Sequence, residues 1–563
     1  MEEISLTSSI PADELLSLHG INGRVIRSTE SLCPVCVSEG KYGNMKVGAV
    51  IYEESGKVWI VKHCREHGLT KEIYWEDYEL YRRASEYADP GIKLLNPGIS
   101  TENIHCPGNC GLCSEHESHT ALGNIVLTNR CNLSCWYCFF YAKNGSNIYE
   151  PTLEQIRDML RNLKREKPVG ADAVQFTGGE LTLREDLIDI IGVAKEEGFD
   201  HILINTNGIK ISQDPELAKR IIEAGNVNNG NIILYMSFDG VTPGTNTKNY
   251  WEIPRAIENC RKAGLQVVLV PTVIRGVNDN EIGDIVRFAL ANLDVVRGVD
   301  FQPVSLVGRM SKEERQNRRI TIPSVIKKLE EQLDGMVTPD DFFPIPSACA
   351  ITDLMEMLSG KKKYRLSTHF ACGMATYLFK ENGRFVPITH FLDVEGLIKS
   401  LHMITRKMKA GRVVGKASGV ISAVKLIGNI RGYVHNSPDG VSIRKTFVSS
   451  LIHRSYNAFI DLHENSLFIG MMHFQDTYNY DVERVRKCSI HYATPDGRII
   501  PFCAFNVIPG LYRDRIQEKY SIPQSEWEAK NGRRLEDDNY RRNFSREEKE
   551  EIIRFYEQCV KMG

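Results

Sequence analysis

The feature that most constrains the fold is a regular alternation of strand-like and helix-like segments between residues 121 and 320. Apolar, β-branched runs predict strands, and apolar residues recurring every three or four positions predict helices between them. This order builds an α/β fold, here a partial (β/α)6 barrel with parallel strands inside and helices outside. Ligands of such barrels bind at the carboxyl ends of the strands. The predicted strands are 125–127, 173–176, 201–205, 232–237, 266–272 and 298–302, and the predicted helices are 153–164, 187–197, 215–223, 253–263 and 281–291.

A cysteine-rich loop follows the first predicted strand. Cys131, Cys135 and Cys138 have C-x3-C-x2-C spacing. Three thiolates at this spacing can hold three irons of a 4Fe–4S cluster, because soft thiolates suit such clusters. The fourth iron then keeps an open position that can bind and reduce a small molecule. The alternative is a zinc site or a purely structural cluster built from the same cysteines.

Polar motifs lie at the ends of the later predicted strands, where a ligand would bind. They are Thr177-Gly178-Gly179-Glu180, Asn205-Thr206-Asn207-Gly208 and Ser237-Phe238-Asp239-Gly240, and Thr272 ends a further strand. Paired glycines let the backbone approach a ligand closely, and a carboxylate can pair with an ammonium group. Together with the cysteine loop, these motifs resemble those of the radical S-adenosylmethionine (SAM) enzymes.

This resemblance implies a role for each motif. The three cysteines of the loop would hold the catalytic cluster, Tyr137 would lean on the adenine of SAM, and the GGE motif would hold its methionyl amino group. A reductant such as ferredoxin or flavodoxin would supply electrons. The residues expected around SAM are Tyr137, Gly178, Gly179, Glu180, Asn205, Asn207, Ser237, Asp239 and Thr272.

Residues 1–120 read as an N-terminal metal-binding module. Cys33-Pro34-Val35-Cys36, then a hairpin, then Cys64-Arg65-Glu66-His67 give the layout of a small mononuclear site. Zinc and rubredoxin-type iron would both fit this layout. His63 or a distant cysteine could replace His67 as the fourth ligand.

A second C-x3-C-x2-C group closes this module. Cys106, Cys110 and Cys113 are separated by glycines and a proline, which suit the tight turns of a cluster-binding loop. The spacing predicts an auxiliary 4Fe–4S cluster, with zinc as the alternative. No second GGE motif follows, so a second SAM site is not expected.

Residues 321–563 lack the alternation and read as a C-terminal α+β region. Cys488 and Cys503 flank the turn Pro495-Asp496-Gly497, so they should face each other across a hairpin and form half of a cluster site. Cys349 and Cys372 could supply the other half. The alternative is that these cysteines are separate buried thiols, as we expect of Cys260.

Composition excludes some classes of function. The formal net charge of -2 gives no general attraction to nucleic acid. No apolar run approaches the roughly 20 residues that span a bilayer. The acidic start, Met1-Glu2-Glu3, is not typical of a secretory signal, so we expect a cytoplasmic protein without a disulfide framework.

One segment runs against this charge balance. Residues 396–438 contain eight Lys or Arg and no Asp or Glu, with Leu397, Leu401, Ile404 and Met408 at helical spacing. A basic, amphipathic helix suits an anionic membrane surface, which predicts peripheral membrane contact. The equal alternative is a solvated basic face on a helix whose apolar side packs in the core.

A narrower resemblance comes from the combination of all these modules with a C-terminal block that begins Met472-His473-Phe474-Gln475-Asp476. The chain resembles the archaeal tetraether lipid synthase family, some of whose members are labelled pterin methyltransferases. This resemblance implies three 4Fe–4S clusters and one rubredoxin-like iron. It also implies that an isoprenoid diether phospholipid is the substrate and that a C(sp3)–C(sp3) bond is formed. Residues 399–431, among them Lys407, Lys409 and Arg412, would then meet the phosphate head group.

Two other functions fit the sequence. The first is a radical SAM methyltransferase, or another radical modification of a pterin or a peptide. Peptide-modifying relatives usually carry a C-x2-C-x5-C-x3-C run, which the C-terminal cysteines do not show. The second is an iron–sulfur electron-transfer protein without SAM chemistry, against which the GGE motif argues.

Overall fold

A computed structural model gives the fold. It describes residues 12–18, 20–98, 105–138, 140, 147–225, 231–307, 312–410, 432–436, 438, 442–443, 445 and 465–562.

The N-terminal strands form a small antiparallel sheet. Its four strands are neighbours in chain order. The central hairpin turns at Ser55 and Gly56, whose φ angles of 55° and 74° are those that tight hairpin turns require. The strands are β1 (Arg24–Leu32), β2 (Lys46–Glu54), β3 (Lys57–Cys64) and β4 (Gly68–Trp75), and the helices α1 (Ala12–Leu18), α2 (Pro34–Ser38) and α3 (Tyr78–Ser85) flank them.

The centre of the molecule is the expected parallel sheet. Six strands lie side by side in chain order, all parallel, and helices follow them as the sequence predicts. This arrangement confirms the α/β fold with a partial barrel. The strands are β5 (Leu122–Thr128), β7 (Ala173–Gly178), β8 (His201–Thr206), β9 (Asn231–Ser237), β10 (Gln266–Val270) and β12 (Val296–Pro303). The helices are α4 (Leu153–Lys164), α5 (Leu187–Glu196), α6 (Ile209–Gln213), α7 (Pro215–Gly225), α8 (Ile253–Ala263) and α9 (Ile282–Ala291). The short strand β6 (Asn147–Tyr149) lies outside this sheet, and β11 (Thr272–Val273) pairs with β12.

The barrel sheet continues into the C-terminal region. Beyond β12 it adds β16 in parallel and then β14 antiparallel to β16, while β17 pairs in parallel with β5 at the opposite edge. The strands of residues 321–563 therefore extend the barrel instead of forming a sheet of their own. They are β13 (Phe343–Pro344), β14 (Gly373–Glu381), β15 (Arg384–Pro387), β16 (Ser466–Met472), β17 (Ile490–Ala493), β18 (Ile499–Pro501) and β19 (Ser521–Pro523), the last of which pairs with β6.

Helices complete the part of the chain that follows β12. They are α10 (Lys312–Arg318), α11 (Ile322–Gln332), α12 (Cys349–Ser359), α13 (Val394–Ala410), α14 (Val482–Arg486), α15 (Phe502–Val507), α16 (Arg513–Tyr520), α17 (Gln524–Asn531) and α18 (Arg546–Met562).

The described part of the basic segment gives no support to membrane contact. In α13, Leu397, Leu401 and Ile404 are buried and pack in one cluster with Leu354 and Met355 of α12. The apolar face that was expected on a membrane is thus covered by the protein itself. Residues 411–431, which include Arg412, lie outside the described residues, as do the side chains of Lys407 and Lys409. Within the described part of the chain, no helix is long and apolar enough to cross a bilayer.

Candidate active site and metal centres

The cysteine loop starts at the carboxyl end of β5 and is fixed by Arg130. This residue is only 4% exposed. Its guanidinium donates to Glu150 (2.7 Å), to Asp538 (2.6 Å) and to the carbonyl of Leu183 (3.0 Å). Since Arg130 immediately precedes Cys131, these bonds hold the first cysteine of the loop in place.

The glycine pair of the GGE motif lies against the start of this loop. Gly178 has φ of 138°, a conformation that other residues rarely adopt. A Cβ on Gly179 would lie 1.9 Å from the carbonyl oxygen of Arg130. The N–H groups of Gly179 and Glu180 donate to the carbonyls of Thr128 and Arg130, both at 2.8 Å. The two glycines therefore join the motif directly to the backbone before Cys131.

Glu180 occupies the junction of three strand ends. It is 1% exposed, and its carboxylate accepts hydrogen bonds from Thr182, from the Thr206 hydroxyl (2.8 Å) and from the Asn207 N–H (2.7 Å). Burial raises the pKa of Glu180 against the effect of these bonds. The Asn207 amide then donates to Asn132 in the cysteine loop at 2.7 Å. The predicted residues Glu180 and Asn207 thus lie together beside the loop.

A second polar group connects Tyr137 to the end of β9. The Tyr137 hydroxyl donates to Asp239, and the Lys248 ammonium lies 2.9 Å from the same carboxylate and 4.7 Å from the Tyr137 ring centre. Burial opposes the charge on Lys248, but Asp239 raises its pKa well above the usual value. The N–H of Thr272 completes the group by donating to Asp239 at 2.9 Å. Sequence reasoning missed Lys248, because it lies in an irregular loop with no motif of its own.

Asn205 and Ser237 line the barrel just below these groups. The Asn205 amide accepts from Gln175 (2.7 Å) and donates to the Thr177 hydroxyl (3.1 Å). The carbonyl of Ser237 accepts from Asn249 at 2.7 Å. The structure therefore brings all the residues predicted around SAM to one end of the barrel.

The three cysteines of the loop lie within electrostatic reach of one another. Burial raises the pKa of the Cys131 thiol to about 12, and Glu180, Cys135 and Cys138 add to the effect. Their three sulfurs do not all lie within 4.8 Å of one another, as the ligand atoms of a single ion would. The wider spacing fits a cluster whose irons are each bound by a different cysteine.

The N-terminal module holds a compact four-ligand site. The Nδ1 atom of His67 lies 3.4 Å from the Cys33 sulfur, 3.4 Å from the Cys36 sulfur and 3.5 Å from the Cys64 sulfur. The sulfurs of Cys36 and Cys64 are 3.8 Å apart. Metal–sulfur bonds of about 2.3 Å and metal–nitrogen bonds of about 2.0–2.1 Å at tetrahedral angles give edges of about 3.8 and 3.6 Å. Among the described residues, only this group has three or more ligand atoms mutually within 4.8 Å, so it fits one tetrahedral ion.

The front triad, Cys106, Cys110 and Cys113, lines a single small cavity together with His116 and Arg486. The N–H of Cys110 donates to the Tyr512 hydroxyl at 3.0 Å. The side chain of Cys110 and nearby cationic Arg486 lower the pKa of Cys106, against the effect of burial. The three thiols therefore lie together, and an auxiliary cluster at this place stays a prediction.

The rear triad, Cys372, Cys488 and Cys503, also gathers in one place. Burial raises the pKa of the Cys488 thiol, and Cys503 and Cys372 act in the same direction. Cys349 does not join them. It begins α12, where Asp89 and Arg365 are its charged neighbours. The expected set of four cysteines is thus reduced to three, because the fold carries Cys349 to a different site.

Comparison with known proteins gives matches along most of the chain. The family model described as the radical SAM superfamily matches residues 125–289, and that described as the HMPTM N-terminal zinc ribbon domain matches residues 25–76. The 7,8-dihydro-6-hydroxymethylpterin dimethyltransferase of Methanocaldococcus jannaschii is 43% identical over 517 residues, which are 89% of this chain and 97% of that protein. The GTP 3′,8-cyclase of Clostridium acetobutylicum is 27% identical over 51% of this chain and 87% of its own.

Solved structures are more distant. A radical SAM methyltransferase from Sphaerobacter thermophilus is 12% identical, with 57% of this chain and 78% of that chain covered and a TM-score of 0.26. Similarity at this level supports no inference about function.

Proposed function

Because the chain belongs to the family of the Methanocaldococcus jannaschii 7,8-dihydro-6-hydroxymethylpterin dimethyltransferase, within the radical SAM superfamily, we propose that it methylates a reduced pterin by radical SAM chemistry. The observation that carries this proposal is the 43% identity over 97% of that enzyme. The same finding overturns the expectation of lipid chain coupling, and with it the isoprenoid phospholipid substrate.

The interior of the barrel offers a place for a substrate. Along β8 and β9 the buried side chains alternate with partly exposed ones. The buried set, such as Ile204 and Leu234, packs in the same core as the surrounding helices. Since neighbouring side chains of a strand point to opposite faces, the partly exposed set faces the inside of the barrel. Side chains that keep accessible surface there border an open space, which we call the lumen.

The lumen carries polar groups at its centre. Asp300 of β12 and Tyr377 of β14 are both electrostatic neighbours of Tyr235 on β9. In the sheet, β9 and β14 are separated by three other strands, so these side chains converge across the lumen. Burial raises the pKa of Asp300 to about 6. A carboxylate among phenols suits the N–H groups of a pterin, whereas a hydrocarbon chain offers these groups no partner.

Strand register places Asp300 close to the expected SAM site. Leu269 pairs with both Met236 and Val299, so Asp300 lies level with Ser237. Opposite Asp300 on β16 is Gly470, where the ring of Phe468 lies in the space that a Cβ would take. A substrate bound at Asp300 would therefore lie directly below the SAM-binding end of the barrel.

We assign each group of cysteines that lies together to one metal centre. Cys131, Cys135 and Cys138 would hold the catalytic 4Fe–4S cluster, the front and rear triads would hold auxiliary clusters, and the ribbon would hold zinc. With SAM bound, the catalytic cluster supplies a radical able to remove a hydrogen atom from an unactivated carbon, using electrons from an external reductant. The contribution of the chain is to position the reactants. Tyr137, Asp239 and Lys248 form the buried wall around SAM, and Asp300 orients the pterin.

The test is product analysis with 7,8-dihydro-6-hydroxymethylpterin, SAM carrying a deuterated methyl group and a chemical reductant, under anaerobic conditions. SAM is the only methyl donor in this mixture, so we expect 5′-deoxyadenosine, S-adenosylhomocysteine from the SAM that gives up its methyl group, and pterins heavier by one and two deuterated methyl groups. Unchanged pterin from protein that does release 5′-deoxyadenosine would refute the proposed substrate.

The variant Asp300→Asn tests whether Asp300 binds the pterin in the lumen. An amide has one acceptor oxygen and an NH2 donor where a carboxylate has two acceptor oxygens, so we expect pterin methylation to fall by at least tenfold while cluster content is retained. The matched control is Asp284→Asn on α9, whose carboxylate pairs with Arg287 away from the lumen. Equal methylation by both variants would exclude Asp300 from pterin binding.

A further inference from the structure

The rear triad supplies three ligands, one fewer than the irons of a 4Fe–4S cluster. Four irons need four ligands unless one is kept open for a substrate, and the chain supplies only three cysteines here. All fifteen cysteines of the chain are among the described residues. Cys349, the expected fourth ligand, lies beside Asp89 instead. A ligand of another residue type is therefore required to close the cluster.

His473 lies directly beside this triad. The antiparallel pairing of β14 with β16 ends at Gly373 and Met472, so the next opposed residues are Cys372 and His473. The N–H of His473 donates to the carbonyl of Cys372 at 2.9 Å, which extends the ladder to this pair. Opposed residues of antiparallel strands direct their side chains to the same face, with Cβ atoms about 4.5–5.5 Å apart. The imidazole of His473 and the thiol of Cys372 are therefore neighbours on one face of the sheet.

The imidazole of His473 is also unsatisfied. The residue is 1% exposed, and neither ring nitrogen has a hydrogen-bond partner among the described residues. A buried polar group without a partner costs about 1–3 kcal/mol, and an ion or cluster at the site is one of the few explanations. Neutral imidazole is a common metal ligand, so this side chain suits the open position.

We propose that His473 is the fourth protein ligand of a 4Fe–4S cluster held by Cys372, Cys488 and Cys503. Arg484 contacts both Cys372 and His473. Its Nε atom lies 3.4 Å from the Cys372 sulfur, and a terminal nitrogen donates to the His473 carbonyl at 2.7 Å. A neutral histidine in place of a thiolate makes the cluster less negative. The rear cluster is then easier to reduce than a cluster with four cysteine ligands.

His369 is the natural competitor and therefore the matched control. Its Nε2 atom is also buried without a partner, three positions before Cys372. However, its Nδ1 atom accepts the N–H of Ala371 at 3.1 Å, and its ring stacks on Phe370 with centroids 4.3 Å apart. Its charged neighbours include Asp481 and Arg27, on the side of the N-terminal sheet. The placement of His369 thus favours a structural role.

The experiment uses the full chain, reconstituted anaerobically and labelled with 15N-histidine. Pulsed EPR of the reduced clusters, recorded without SAM, should show 15N coupling in the wild type and in His369→Ala. The coupling should be lost in His473→Cys, which should keep its iron content and titrate at a lower midpoint potential. His473→Ala should lose both the coupling and part of the rear cluster.

Three outcomes would overturn the proposal. They are coupling that persists in His473→Cys, coupling that disappears in His369→Ala, and a wild-type protein without histidine coupling. Because these measurements need no substrate, they give the same answer whether or not the protein methylates a pterin.

Discussion

At the scale of single residues, the candidate site depends on the close approach of Gly179 to Arg130. An added Cβ would meet a backbone carbonyl at 1.9 Å, and no side-chain rotation can relieve such a contact. We expect Gly179→Ala to separate Glu180 from the cysteine loop and to prevent stable assembly of the catalytic cluster. Iron content should fall by one cluster per chain, and release of 5′-deoxyadenosine should fall at least tenfold.

Gly192→Ala is the control for this substitution. Gly192 lies inside α5, and a Cβ there would have no neighbouring atom within 4 Å. Alanine is favoured over glycine in a helix by roughly 1 kcal/mol, so this variant should be fully active and slightly more stable. A Gly179→Ala protein with the iron content and activity of Gly192→Ala would show that the glycine contact is not needed.

The residues of the site differ in how far sequence alone could predict them. Gly178, Gly179 and Glu180 were predicted because their role follows from a short motif at the end of a strand. Lys248 was missed, because its partner Asp239 comes from another segment that only the fold brings near. The placement of His473 beside Cys372 could not be predicted for the same reason. Cys349 was misplaced for the same reason, since the positions of cysteines along the sequence do not show where α12 lies in the fold.

At the scale of elements, the alternation of strand-like and helix-like segments was enough to locate the six barrel strands. Residues 321–563 lack this alternation, so the strands there could not be assigned to the same sheet. β16 reads Ser-Leu-Phe-Ile-Gly-Met-Met, a nearly continuous apolar run, as expected of a strand covered on both faces. It follows β12 only after a long intervening stretch of sequence. Periodicity cannot show which strand such a run will join, so the extension of the barrel required the structure.

Glu166 links two of these elements and should make stability depend on pH. It lies after α4 and accepts the N–H of Thr120 (2.8 Å) and the Thr120 hydroxyl, which also contacts His491 of β17 at 2.7 Å. Burial raises the pKa of Glu166 to about 7. The folded state therefore holds its proton more tightly than the unfolded state, so this contribution to stability is complete below about pH 4 and is lost as pH rises through about 7.

The variant Glu166→Gln tests whether Glu166 makes stability fall as pH rises. Between pH 5.5 and 8, the wild type should lose about 2 kcal/mol of unfolding free energy relative to the variant. The measurement is anaerobic denaturant unfolding of both proteins at each pH. Burial lowers the pKa of the nearby His116 and His119 to about 4, which acts in the opposite direction, so only the difference between the two proteins isolates Glu166. Parallel pH profiles would contradict the assignment.

At the scale of the whole molecule, the C-terminal segment returns to support the first loop of the barrel. Asp538 receives the guanidinium of Arg130 at 2.6 Å and that of Arg533 at 2.7 Å. The ring of Trp527 lies 4.5 Å from the Arg130 guanidinium. The last helix, α18, packs in the same core as the barrel through Tyr556, which stacks on Tyr250 with ring centroids 4.3 Å apart. The cysteine loop is thus held both by the barrel and by the C-terminal segment.

Asp538→Ala should therefore weaken both the fold and the cysteine loop. The side chains of Arg130 and Asp538 are each 3% exposed, so removing the carboxylate takes from a buried cation one of its two carboxylate partners, the other being Glu150. Breaking such a pair costs about 3–5 kcal/mol, which anaerobic denaturant unfolding would measure. Because Arg130 precedes Cys131, iron content and 5′-deoxyadenosine release should fall as well. Glu536→Ala, at an exposed neighbouring position, should change stability by no more than about 0.5 kcal/mol. If the two variants unfold alike and release 5′-deoxyadenosine at the same rate, the C-terminal segment does not support the catalytic loop.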